Sequence, residues 1–115
     1  MEENYNIRSF KIEAVASVVE VVRLCDNKDI FDFCSFVMGE DVNTTNIHIY
    51  RDEIIKIINT DYPDMIRTLF IPDGYCLKKI EMDKLIHFYK TKYGDEILVR
   101  KYNKENSKKL IKRNN

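Results

Sequence analysis

YPDMIRTLFIPDGYCLKKIEMDKLIHFYKTKYG, residues 62–94, decides how the rest of the chain is read. Pro72-Asp73-Gly74 stands between two runs with strand character, residues 65–71 and 75–80. Proline presets φ at the first corner of a turn, aspartate is tolerated at the second, and glycine takes the left-handed position that follows. Those residues in that order suit a three-residue hairpin loop closed by a glycine bulge. Beyond them Met82, Leu85, Ile86, Tyr89 and Tyr93 recur at helical spacing, and Gly94 stands where a helix would stop. The expectation is a hairpin leading into an amphipathic helix over residues 83–93, on which the other elements pack.

Upstream, residues 7–14 fit either an alternating strand or a helix, and SVVEVVRLC, residues 17–25, is short and dense in β-branched side chains. That composition favours a buried strand. Asp26-Asn27 breaks it and can cap a helix over residues 28–38. There Ile30, Phe33, Cys34 and Val37 fall at i, i+3, i+4 and i+7, and Gly39 follows as the stop. NIHIY (46–50) and EIIKIIN (53–59) read as two short strands joined at Arg51-Asp52. EILVRKY (96–102) reads as a last strand with Ile97 and Val99 on one face. The fold class expected from this order is α+β: a small, mainly antiparallel sheet of about five to six short strands with two helices packed on it. Residues 1–102 are taken as a single domain with residues 1–5 frayed, and residues 103–115 as a basic, disordered tail.

At 115 residues, 44% apolar, the chain can bury one modest core. Charged residues make up 33% and cancel to zero, which argues against a globally basic nucleic-acid binder. The charge is nevertheless uneven: residues 26–64 hold nine acids and three bases, and residues 100–115 hold seven bases and one acid. Three cysteines without paired spacing do not suit a disulfide framework, and MEENYNIRSF lacks the basic and apolar character of a secretory leader. No apolar run approaches the roughly 18–20 residues of a membrane span. The expectation is a cytoplasmic, reduced protein away from the membrane.

Several constellations bear on chemistry. Cys25, Cys34, Cys76, His48 and His87 contain no C-x-x-C or H-x-x-x-H spacing, so no metal site is expected. Cys76 and His87 form a nucleophile pair only formally, because a reactive thiolate needs an electropositive, partly open setting. Asp26, Asp29 and Asp32 share one helix side, which could serve a metal-dependent hydrolase but is already explained by the helix dipole and by solvation. No P-loop, Rossmann glycine set or G-x-S-x-G is present. No catalytic residue and no cofactor is therefore assigned.

The basic segment offers Arg100, Lys101, Lys104, Lys108, Lys109, Lys112 and Arg113 as candidate phosphate contacts, with one aromatic, Tyr102, and no stacking platform. Aromatics give the other signal. Phe31 and Phe88 lie off the apolar stripes of their helices, and Tyr50 and Tyr75 add the amphipathic area that interfaces favour. Phe31, Tyr50, Tyr75 and Phe88 are the candidate partner-binding residues, for another protein or complex or for a second copy of the chain.

Val19-Glu20-Val21-Val22-Arg23-Leu24, followed by Asp26-Asn27 and then Ile30, Phe33 and Cys34, resembles the opening of a small family encoded in bacteriophages and prophages. That family starts with a strand of the type V-E-A-V-Q-F, then G-D-N, then a helix ending in phenylalanine and often cysteine. Its second half has G-D-W-I, a hairpin with glycine, a cysteine and a helix, matched here by Pro63-Asp64-Met65-Ile66, Gly74, Cys76, Leu85 and Tyr89. Proline and methionine replace the family's glycine and tryptophan, and the hairpin is longer; the resemblance spans about residues 19–93. It implies a phage-borne accessory protein with no activity to transfer. The function expected is a non-enzymatic interaction module, such as a stoichiometric inhibitor of a host defence complex. The alternatives are a nucleic-acid accessory protein using the basic segment and, third, a small metal-dependent hydrolase.

Overall fold

Alternation at the two ends of the chain builds its only regular sheet among the described residues. In the computed structural model, which describes residues 7–69 and 75–101, strand β1 (Ile7–Lys11) pairs antiparallel with strand β2 (Glu96–Arg100). Ile7 stands opposite Arg100 and Lys11 opposite Glu96, so Phe10, Ile97 and Val99 turn inward together. The sequence expectation for the last strand and its buried face holds. Where β1 ends, the Ile12 N–H donates to the Asp95 carbonyl at 2.8 Å and the chain turns directly into a helix.

Four helices lie between the strands: α1 (Ile12–Glu20), α2 (Asn27–Met38), α3 (Ile47–Asp61) and α4 (Lys79–Tyr93). The expected sheet of five to six strands with two helices is therefore wrong; the chain is a small α+β domain with four helices and a two-stranded sheet. Each error has a physical cause. Helix α1 takes in residues 17–20 of the segment read as a β-branched strand, and residues 21–25 are in no strand. It is buried on nearly every side, packed against α4, α2 and α3, with only Glu13 part-exposed. Its polar residues Glu13, Ser17 and Glu20 do recur at helical spacing, but a strand reading that begins at Ser17 cuts across that pattern and joins it to the valines that follow. Intrinsic preferences differ by less than 1 kcal/mol per residue between helix and other states, whereas burying a valine or isoleucine contributes roughly 1.5–3 kcal/mol.

Helix α3 replaces the proposed pair of strands. Arg51-Asp52 lacks glycine or proline to turn the chain, and the helix runs straight through it. Ile47, Tyr50, Ile54 and Ile57 with Ile58 then share one side, with Ile54 and Ile58 fully buried. Its entry is a polar turn: the Asn43 N–H donates to Asn46 Oδ1 at 2.8 Å, and the Thr45 N–H to Asn43 Oδ1 at 2.9 Å.

Helix α2 follows its sequence reading closely. Ile30, Phe33, Cys34 and Val37 are all buried, and Gly39 ends the helix at φ 68° with its N–H on the Ser35 carbonyl. Phe10 meets Phe33 edge-on at 5.5 Å, which locks β1 onto α2. Helix α4 also buries its predicted stripe, with Leu85 and Tyr89 innermost and Met82, Ile86 and Tyr93 half-buried. It starts earlier than expected, because Glu81 Oε1 accepts the Lys78 N–H at 2.9 Å and closes the first turn.

The hairpin is not formed where residues can be described. Residues 65–69 and 75–78 are in no strand, and Pro72-Asp73-Gly74 and Phe70 lie outside the described residues. Residues 65–69 are instead an irregular strap. Met65 is buried, its carbonyl accepts from Asn59 Nδ2 at 2.6 Å, and the next residues are held by Glu20.

Glu20 is the one fully buried carboxyl group among the described residues. It accepts from the Thr68 N–H (2.9 Å), Thr68 Oγ1 (2.7 Å), the Leu69 N–H (2.9 Å) and the Tyr89 hydroxyl (2.5 Å). A buried carboxyl group persists only when donors surround it. Here they come from the strap and from α4, so one side chain of α1 joins three segments.

Candidate functional site

Helix α4 carries a polar-flanked apolar surface on the side away from the core. Two adjacent i, i+4 rows run along it: Ile80, Lys84, Phe88 and Lys92 in one, Asp83, His87 and Thr91 in the other. Ile80 is 62% exposed and Phe88 45%. Phe88 is not loose: its ring meets Tyr89 edge-on at 5.5 Å, and the Lys92 ammonium stands 6.0 Å from its centroid. Because Tyr89 is pinned by Glu20, Phe88 is presented from a rigid base. The Lys92 ammonium lies 5.4 Å from the Tyr93 centroid as well, so it is shared between the two rings.

The four aromatics read as partner-binding do not converge. Tyr75 and Phe88 belong to the α4 side, where the Tyr75 hydroxyl donates to Glu81 Oε1 at 2.6 Å, two turns before Phe88. That bond holds the Glu81 carboxyl below its usual range, with the Lys78 N–H adding to the effect, and raises the Tyr75 phenol. Phe31 is half-buried in a cleft beside α1 and α3. Tyr50 is half-buried on α3, its hydroxyl donating to Glu40 Oε2 at 2.6 Å. Sequence reasoning missed Ile80, assigned to a strand, together with Lys84 and Lys92. A helix begun at residue 79 would have placed Ile80 eight positions before Phe88, on the same off-stripe side.

The remaining candidates are dispersed. Arg100 is bound to Asp61, its Nε donating to Oδ2 at 3.0 Å, and that pairing depresses the Asp61 carboxyl. Lys101 reaches across Gly39, while Lys104, Lys108, Lys109, Lys112 and Arg113 lie outside the described residues. Of the acidic trio, Asp29 pairs with Lys11 at 3.0 Å and Asp32 with Arg8 at 2.8 Å, tying α2 to β1; Asp26 marks the start of α2. Among the described residues no three His, Cys, Asp or Glu side chains are grouped to hold a metal ion. Burial pushes the Cys34 thiol up to about 12 and raises Cys25 as well, the opposite of activation; Cys76 is exposed. No helix among the described residues is long and apolar enough to cross a membrane.

Set against known proteins, the chain is matched by no family model, no curated protein and no solved structure.

Proposed function

We propose that this chain is a non-enzymatic interaction module that holds a partner protein on the outer face of α4. The observation that carries the reading is the pairing of two exposed apolar side chains, Ile80 and Phe88, with Lys84 and Lys92 along one helical row. A rigid aromatic anchor flanked by cations matches a partner surface that is apolar at its centre and acidic at its rim. Such a surface works by occupancy, so stoichiometric inhibition suits it better than turnover. The resemblance of residues 19–93 to phage-borne accessory proteins supports a host protein or complex as the partner, with a defence complex as the finer reading.

The test is capture from bacterial lysate by the wild-type chain and by an Ile80→Asp/Phe88→Asp variant whose melting curve matches wild type. The expected result is one partner retained by the wild type, lost by the variant, and bound in a fixed ratio when purified. Equal capture by both would refute the reading. Recovery of nucleic acid instead, with affinity falling steeply as salt rises, would move the function to phosphate binding.

A further inference from the structure

A second site lies where α1 ends and α2 and α3 begin. A cleft of about 230 Å³ opens there. Its apolar wall includes Val18, Val21, Val22, Phe31 and Ile47, and its polar groups include Arg23, Asn27, Thr44 and Arg51. Two arginines line it and no carboxylate does.

Two features of this cleft work against the stability of the fold. The first is Arg51, whose Nε is hidden from solvent without an acceptor. The side chain is half-buried and lies close enough for its charge to act on the buried thiol of Cys34. A hidden N–H without an acceptor is costly, and a guanidinium seeks a planar, two-oxygen partner. The second is Val21, at φ 59° and ψ 42°, the only residue other than glycine with positive φ among the described residues. A β-branched side chain in the left-handed region is a genuine outlier, and glycine would fill this helix stop without strain. The valine there is 38% exposed and adds its isopropyl group to the cleft wall. The unpartnered Arg51 Nε and the left-handed Val21, whose N–H closes the α1 stop on the Ser17 carbonyl, belong to residues that line one cavity.

We infer that this cleft is a binding site for a compact monocarboxylate with a branched or aromatic apolar body, supplied either as a free acid or as the last residue of a peptide. The carboxylate pairs with the Arg51 guanidinium, with Arg23, whose Nε also donates to the Cys25 carbonyl at 3.3 Å, nearby, and the body lies against Val18, Val21, Val22 and Phe31. A cleft of this size favours a compact ligand. The inference does not depend on the α4 surface, and either can fail alone.

The experiment is a titration of the ¹⁵N-labelled chain with 4-methylpentanoate, its neutral amide, inorganic phosphate and a short peptide ending in a free leucine carboxylate. Saturable shifts confined to residues 17–23, 27–31 and 44–51 are expected for the acid. The amide should bind at least about tenfold more weakly, because it forfeits the charge-assisted pair. Tighter binding of the peptide than of the free acid would identify a chain terminus as the source, and the reverse a free acid. Arg51→Gln should lose the preference for acid over amide, and Arg51→Lys should keep only part of it. The acid–amide comparison on the wild-type chain decides the question even should Arg51→Gln fail to fold. Equal binding of acid and amide, phosphate binding as tightly as the acid, or no saturable shift with either source would each overturn the inference.

Discussion

Replacing Glu20 by alanine should cost this fold about 3–5 kcal/mol, the range for leaving buried polar partners uncompensated. The carboxyl group receives the Thr68 and Leu69 N–H groups and the Thr68 and Tyr89 hydroxyls. Each hydrogen bond to a charged acceptor contributes roughly 1.5–3 kcal/mol net. Their sum overstates the loss, because Thr68 is exposed and its donors can turn to water once the strap lifts. Tyr89 cannot: it is 1% exposed, and its hydroxyl would be buried without an acceptor. Glu20→Gln should be milder, about 1–2 kcal/mol. Oε1 can keep both backbone donors while the new amide faces hydroxyls that are able to accept. Tyr89→Phe should cost about 1.5–3 kcal/mol, and the Glu20→Ala/Tyr89→Phe double variant should fall short of the sum by at least about 1 kcal/mol. Urea unfolding measures all four, and amide exchange adds a local readout: Thr68 and Leu69 should be protected in wild type and exchange rapidly in Glu20→Ala. A cost under about 1 kcal/mol, strict additivity with Tyr89→Phe, or unchanged exchange at Thr68 and Leu69 would refute the claim that Glu20 holds the strap.

Leu85→Ala should cost about 2–5 kcal/mol by calorimetry or urea unfolding, the range for a well-packed leucine; a neutral result would mean that the inner stripe of α4 does not face the core. Val21→Gly should stabilise by up to about 1 kcal/mol, since relief of the left-handed strain outweighs the added chain freedom, and a lower melting temperature would show that the isopropyl contacts dominate. Thiol labelling of the native chain should modify Cys76 first, Cys25 more slowly and Cys34 only on unfolding, as their exposure and the raised Cys34 thiol require; early loss of Cys34 would contradict its burial. Asp61→Asn should cost no more than about 1 kcal/mol at neutral pH, as befits a largely exposed pair. The Arg100 hydrogen bond lowers the folded-state pKa of Asp61, so the pair's contribution is complete above the unfolded value of about 3.9. It fades as pH falls through the folded value, and the gap between variant and wild type should close only in that acid range.

Some of this architecture is written in local pattern. Ile30, Phe33, Cys34 and Val37 before Gly39 specify α2, because a half-exposed helix must segregate apolar residues at a 3.6 period. The inner stripe of α4 and the alternation of Ile97 and Val99 are legible for the same reason. The off-stripe position of Phe88 was legible too, and with it part of the α4 surface. Phe31 satisfied the same sequence criterion and Tyr50 offered the amphipathic area that interfaces favour, yet the fold turns both toward other neighbours. That choice depends on where α1 and α3 lie, which no local window contains.

Residues 12–20 form a helix enclosed by α2, α3 and α4, and the helical spacing of Glu13, Ser17 and Glu20 is masked in the sequence by the β-branched run of Val18, Val19, Val21 and Val22. Residues 47–61 carry β-branched alternation and a helical stripe at once, and burial of Ile54 and Ile58 against the domain selects the helix. Glu20 is the clearest case. Within SVVEVV a lone glutamate reads as the outward side of a strand, and nothing nearby in sequence could hold its charge. Thr68, Leu69 and Tyr89, 48 to 69 positions away, supply the donors that make its burial tolerable. Periodicity therefore determined the elements that keep one face in water, while long-range burial and hydrogen bonding decided the enclosed ones.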